Sequence, residues 1–170
     1  MKAKQYVEYL NNLIPEDTHG INKGILDRMK IKPKKHQTAY NDELSFLINN
    51  FEMEGVEIGM ISFLGGYEMN KDHYLFGNID LDYIGFDIKT REIVLLDHDQ
   101  IDFVMMKCAK NSICFLQLLK FYSEYLIDGL LKKEVIERDL NSIYNEAGGI
   151  NYKNFVDFLV SPPSGWNAKG

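Results

Sequence analysis

Residues 82–99, with the sequence DYIGFDIKTREIVLLDHD, contain two apolar runs joined by a polar connection. The connection at 87–91 has the length and composition of a hairpin turn. The run that follows, at 91–97, is apolar at consecutive positions between charged ends, which is typical of a strand buried on both faces of a sheet. This stretch therefore predicts an antiparallel hairpin whose second strand lies inside a sheet.

The sequence on either side of this hairpin continues the strand pattern. Alternating or continuous apolar segments bounded by glycine, asparagine or aspartate predict further strands. Their predicted ranges are 56–64, 73–76, 81–87 and 101–106, with turns at Gly65-Gly66 and Gly77-Asn78. The middle third of the chain is therefore predicted to be a meander of neighbouring antiparallel strands.

Helical periodicity occupies both ends of the chain. The predicted helices are 3–14, 21–29 and 41–51 before the strands, with Asn41 as a capping residue, and 111–129, 132–144 and 152–160 after them. Helices, then a contiguous sheet, then helices predict an α+β fold, an antiparallel multi-stranded sheet flanked by helices. With 170 residues, we expect one domain: a core at 40–128, a helical C-terminal extension at 130–160 and a frayed tail at 161–170.

The charge distribution excludes several classes of protein. The net charge is −6, and residues 51–102 carry 12 of the 25 acids but only 3 of the 19 bases. A nucleic-acid-binding protein must neutralise phosphates, so we expect no direct nucleic-acid partner. No apolar run approaches the ~20 residues of a membrane span, and the charged first residues do not resemble a signal peptide. We therefore expect a cytoplasmic protein without a membrane partner.

No motif of catalysis or cofactor binding is present. Cys108 and Cys114 lie outside any recognised nucleophile motif, and the glycine pairs lack the context of a phosphate-binding loop. Asp97-His98-Asp99 has metal-ligand residue types, but three consecutive residues point in different directions and would coordinate one ion poorly. We therefore predict no enzyme, no metal site and no cofactor.

The acidic residues of the sheet region form the main candidate site. An excess of one charge sign accelerates association with an oppositely charged protein, although acids at turns also serve solubility and protect sheet edges. The residues that we predict to bind a partner are Asp80, Asp82, Tyr83, Asp87, Asp97, Asp99 and Asp102.

The same region resembles the SUKH superfamily. The resemblance rests on Tyr74-Leu-Phe-Gly77, on the hairpin at 82–99 and on Asn111-Ser-Ile-Cys-Phe-Leu116, and it extends less specifically over 40–128. It departs from the family where Asn49-Asn50 replaces the usual Asn-Gly. The superfamily includes fungal regulators of cell-wall synthesis and bacterial immunity proteins, and its fold is an antiparallel sheet surrounded by helices.

The resemblance implies binding rather than catalysis. It indicates an immunity protein, or antitoxin, that neutralises a cognate toxin, and a basic nuclease-type toxin would match an acidic surface. Two other hypotheses remain open. One is a small-molecule-binding or regulatory module with an apolar pocket rimmed by His73, His98 and an aspartate. The other is a hydrolase with an unrecognised site.

Overall fold

The computed structural model describes residues 1–16, 21–131 and 139–161, and for residues 21 and 22 it describes the backbone only. Residues 132–138 of the predicted helix 132–144 lie outside the described part of the chain. Most of the predicted tail, residues 162–170, also lies outside it.

Six strands form one antiparallel sheet in which every strand pairs with its neighbours in the sequence. This arrangement confirms the predicted meander and, with the helices before and after it, the α+β class. The strands of this sheet are β3 (Glu57–Ile58), β4 (Ile61–Asn70), β5 (His73–Ile79), β6 (Asp82–Asp87), β7 (Ile93–Leu96) and β8 (Val104–Ala109). Two shorter strands, β1 (Lys32–Pro33) and β2 (Phe51–Glu52), pair separately.

The predicted hairpin at 82–99 is present. Tyr83 pairs with Leu96 and Phe86 pairs with Ile93, and the turn closes through the N–H of Arg91, which donates to the carbonyl oxygen of Asp87 over 2.9 Å. All four residues of β7 are buried. Because β7 lies between β6 and β8, its continuous apolar pattern reflects burial on both faces of the sheet.

Several predicted strand limits were wrong because glycines inside strands were interpreted as turns and the turn at Gly59 was not predicted. The segment 56–64 folds into a tight hairpin in which Ile58 pairs with Ile61 and Gly59 takes the turn at φ 60°. Gly65-Gly66 lies inside β4, where the register shifts. Gly77-Asn78 lies inside β5, and the chain turns after Ile79 instead, with Asp80 at φ 55°.

The described helices are α1 (Ala3–Leu13), α2 (Ile21–Met29), α3 (Glu43–Asn50), α4 (Ser112–Leu130), α5 (Leu140–Ala147), a 3₁₀ turn (Ile150–Tyr152) and α6 (Lys153–Val160). The cap of α3 is Asp42 rather than the predicted Asn41. The Asp42 side chain accepts the N–H of Ser45 over 2.9 Å and the hydroxyl of Ser112 over 2.6 Å.

The two faces of the sheet have different surroundings. One continuous core joins sheet residues such as Ile84 to buried residues of the helices, from Ala3 in α1 to Phe155 in α6. On the opposite face, Leu75, Val94 and Leu96 form a smaller cluster with Leu64, Tyr83 and Ile101, which contains no residue of a described helix. The described helices therefore cover one face of the sheet, and on the other face Ile101 of the β7–β8 connection packs against side chains of the strands.

Candidate functional site

Two connections between strands meet at one end of the sheet. Ile79 pairs with Asp82 across the β5–β6 turn, and Leu96 pairs with both Tyr83 and Val104. The β5–β6 turn and the β7–β8 connection therefore leave the sheet on the same side. We call residues 80–82 and 97–103 together the acidic end.

A buried carboxylate fixes the β7–β8 connection in place. Asp82 is 8% exposed, and its Oδ1 accepts the backbone N–H of His98 over 3.1 Å and lies 2.9 Å from Nδ1 of the same residue. The hydrogen bond that Asp82 accepts from the His98 imidazole raises the pKa of that ring, and the charges of Asp99, Asp82 and Asp97 act in the same direction. His98 is therefore held against β6 most strongly when it is protonated.

Asp97 serves the turn itself. One of its carboxylate oxygens accepts the N–H groups of both Asp99 and Gln100, each over 2.8 Å. One ligand-type atom from each of Asp97, His98 and Asp99 lies within 4.8 Å of the other two. Because Asp97 and His98 already make hydrogen bonds that build the connection, we assign this trio to the structure of the turn.

The acidic end carries unbalanced negative charge. The side chain of Asp99 is 83% exposed, and the base nearest to it is His98, whose Nε2 lies 3.5 Å away. Neither Asp80 nor Asp97 has a lysine or arginine partner in the part of the chain that the structure describes. Asp102 does have one, because it pairs with Lys71 of the β4–β5 turn.

Large apolar side chains lie among these acids. Leu81 is 64% exposed and Phe103 is 58% exposed, and each lies within one residue of an aspartate. The first residues of β8, Val104 and Met105, are also exposed. Exposed apolar side chains beside charged ones are a feature of many protein-binding surfaces.

The structure divides the predicted partner-binding residues. Asp80, Asp82, Asp97 and Asp99 come together at the acidic end, whereas the carboxylate of Asp102 extends to Lys71 in the β4–β5 turn, at the opposite end of the sheet. Asp87 does not lie at the acidic end, because β6 separates it from Asp82 by about 17 Å at about 3.3 Å per residue. The Asp87 carboxylate instead accepts the N–H groups of Lys89 and Thr90 in the β6–β7 turn. Tyr83 is half-buried against the small cluster, so the candidate surface among the seven residues is the acidic end.

Acids at the opposite end of the sheet are balanced by bases. Asp72 binds Lys89 over 2.7 Å, and Glu92 binds Lys107 over 2.9 Å. The excess negative charge of the sheet region is thus concentrated at the acidic end rather than spread along every turn.

The histidine-rimmed pocket of the small-molecule hypothesis is not formed. His98 lies at the acidic end, whereas His73 pairs in register with Asp87 at the other end of the sheet. His73 is buried, its Nε2 lies 3.7 Å from Asp87 Oδ2, and neither ring nitrogen has a hydrogen-bond partner among the described residues. The two histidines therefore cannot share one ligand.

The cysteines are poor nucleophiles in this environment. Burial raises the pKa of the Cys108 thiol well above its ordinary value and also raises that of Cys114. Cys114 lies in the first turn of α4, where its N–H donates to the Asn111 cap, and burial outweighs the lowering of its pKa by the charge of Lys110.

Sequence reasoning missed Leu81 and Phe103. Nothing in the sequence indicated that they are exposed, because both were placed inside predicted strands, Leu81 in 81–87 and Phe103 in 101–106. The β7–β8 connection is longer than predicted, because β8 begins at Val104 rather than at residue 101.

No family model, curated protein or solved structure matches this chain. Among the described residues, no helix has the length and apolar character needed to cross a bilayer.

Proposed function

We propose that this chain is a non-catalytic binding protein whose acidic end docks onto a basic protein. The observation that carries the proposal is the exposure of Leu81 and Phe103 beside an acidic cluster in which Asp80, Asp97 and Asp99 have no lysine or arginine partner among the described residues. Apolar anchors of this size supply affinity once they are buried by a partner, and the surrounding charges supply orientation and a fast encounter.

The acidic end is prepared for binding before a partner arrives. The Asp82–His98 contacts and the Asp97 turn hold the β7–β8 connection in one conformation. A surface that is already ordered loses less conformational freedom on association, so a larger share of the contact energy appears as affinity.

The partner class that we propose is a toxin of the nuclease type. The support is the resemblance to the SUKH superfamily together with the charge of the acidic end, since an enzyme that acts on nucleic acid needs a basic cleft. An acidic protein docked in such a cleft blocks the substrate by occupying its place. In this proposal the chain acts as an immunity protein in the cytoplasm and carries out no reaction of its own.

The test is capture of partners from a lysate of the native host with the immobilised full-length chain. Three baits are compared: wild type, the double variant Leu81→Ser/Phe103→Ser and the double variant Ile113→Ser/Ile150→Ser. The last is the matched control, because Ile113 and Ile150 are 48% and 69% exposed and lie outside the acidic end. Capture is run at low salt and at about 0.5 M salt, where screening shortens to a few Å.

We expect one basic protein to be retained by the wild type and by the control at low salt, less at high salt, and not by Leu81→Ser/Phe103→Ser. Identification of that protein as a nuclease or other toxin would support the immunity function. Equal capture by all three baits, or no basic protein on any of them, would overturn the proposed docking surface.

A further inference from the structure

A second candidate site lies at the other end of the sheet, on the face that the helices cover. A cavity of about 250 Å³ opens there between the start of α3 and strands β4 to β6. Tyr67, Tyr74 and Phe86 form its walls, and Tyr40, Asp42 and Arg91 are its other principal lining residues. Phe86 is near the end of β6 opposite Asp82, so the cavity and the acidic end are separate.

The walls of the cavity are aromatic and ordered. The rings of Tyr67 and Tyr74 lie 5.7 Å apart at an interplanar angle of 56°. The Tyr67 hydroxyl is 3.2 Å from Ser45 Oγ, which anchors this ring to α3. Tyr74 is 36% exposed and Tyr40 is 42% exposed, so their rings remain accessible to a ligand.

Arg91 is the charged group of the cavity with unused hydrogen-bonding capacity. Its guanidinium carbon lies 4.6 Å above the centre of the Phe86 ring, which orients the plane of the group. Its one carboxylate neighbour among the described residues is Asp42, at 3.9 Å. Asp42 is already engaged by the N–H of Ser45 and the hydroxyl of Ser112, so the N–H donors of Arg91 are available.

We propose that this cavity binds a small planar aromatic carboxylate. A guanidinium with free donors binds the two oxygens of a carboxylate side by side, and the tyrosine rings provide faces for an aromatic ring. A cationic ligand is disfavoured because Arg91 already occupies the cation position over Phe86. The volume is below the about 300–1,000 Å³ of pockets for drug-sized ligands, so it matches a single substituted ring.

The test is a titration followed by heteronuclear NMR with three probes of the same shape: benzoate, neutral benzamide and cationic benzamidine. Each is titrated into the wild type, Arg91→Gln and Lys89→Gln. The last is the matched control, because Lys89 lies in the same turn, its side chain is 71% exposed and it binds Asp72 outside the cavity. Tyr74→Leu is a second variant that removes a ring from the wall without changing the charge.

We expect saturable binding of benzoate, with resonance shifts at Tyr67, Tyr74 and Arg91. Arg91→Gln should weaken benzoate binding by about tenfold or more, because it removes a charge-assisted bidentate contact. Tyr74→Leu should also weaken benzoate binding. Lys89→Gln should leave the affinity for benzoate within about twofold of the wild type. Benzamidine binding as tightly as benzoate, no saturation with benzoate, or equal effects of the two charge variants would overturn the proposal. None of these results depends on whether the acidic end binds a protein.

Discussion

The buried carboxylate of Asp82 holds His98, 16 residues later in the chain, at two points: its backbone N–H at 3.1 Å and its ring Nδ1 at 2.9 Å. This contact fastens the β7–β8 connection to the end of β6. It thereby holds the start of the connection, with Asp97 and Asp99, next to the β5–β6 turn that contains Leu81 and Asp80. The proposed function depends on this arrangement, since neither connection alone presents both the apolar and the acidic groups.

The Asp82–His98 contact predicts a pH-dependent part of the stability. Because the pKa of His98 is raised in the folded protein, its contribution is fully present below the unfolded value of about 6.5 and is lost as the pH rises through the folded value. The free energy of unfolding of the wild type should therefore exceed that of His98→Gln most at low pH. Urea unfolding at a series of pH values from about 5.5 to 8.5 measures the difference, spanning the titration range of histidine. A difference that grows with pH would contradict the assignment.

The cap of α3 gives a prediction with an internal control. Asp42→Ala removes a helix cap, which should lower the free energy of unfolding by about 1–2 kcal/mol. It also leaves the buried Ser112 hydroxyl without its acceptor, which should lower it by about 1 kcal/mol more. Asn41→Ala changes the neighbouring residue, which is exposed, and should alter the free energy of unfolding by less than about 0.5 kcal/mol. Chemical denaturation of both variants measures these effects. A larger decrease in the free energy of unfolding for Asn41→Ala than for Asp42→Ala would show that Asn41 is the cap, as the sequence predicted.

Two glycines in neighbouring strands should respond differently to alanine. A Cβ at Gly77 would lie 2.7 Å from the backbone oxygen of Ser62, whereas a Cβ at Gly66 would meet nothing within 4 Å. Gly77→Ala should therefore lower the free energy of unfolding by about 1–3 kcal/mol, and Gly66→Ala should be neutral or raise it by about 0.5 kcal/mol. Thermal and urea unfolding of the two variants provide the comparison. Equal effects would mean that β4 and β5 are not this close at Gly77.

The C-terminal helix α6 is expected to unfold with the sheet. Phe155 is fully buried in the main core, so Phe155→Ala should cost about 3–5 kcal/mol. Ile150→Ala, at a residue that is 69% exposed, should cost less than about 0.5 kcal/mol. Both variants should show a single unfolding transition by circular dichroism and by tyrosine fluorescence. A separate early transition in Phe155→Ala would show that α6 is an independent appendage.

The sequence was sufficient where structure is decided locally. The hairpin at 82–99 follows from its apolar runs and the turn between them, and its continuous apolar second strand indicated an interior position. The predicted strand 81–87 also placed Asp82 near one of its ends and Asp87 at the other. Their separation at opposite ends of the sheet could therefore have been derived from the predicted strand itself.

Other features depend on residues far apart in the chain. Asn41 and Asp42 are both good helix caps, and Ser112, 70 residues away, bonds to Asp42. The neutralisation of Asp102 depends on Lys71, 31 residues earlier. Arg91 lies over Phe86 only once the turn has folded back on β6. Such contacts leave no periodic signal in the sequence. The cavity was therefore not predicted, and the predicted partner-binding residues included Asp87, which lies at the other end of the sheet.

The dissociation constant of the captured basic partner is the measurement that tests the central claim most directly. It is measured at about 0.05 M and 0.5 M salt, which lie on either side of the ionic strength where the Debye length is about 8–10 Å. The wild type is compared with Asp80→Asn/Asp99→Asn and with Glu8→Gln/Glu52→Gln, a control that removes two charges from exposed acids outside the acidic end. The account predicts that Asp80→Asn/Asp99→Asn weakens binding by about tenfold at low salt and reduces its salt dependence, while the control stays within about twofold. Equal affinities and equal salt dependence for the two double variants would contradict it.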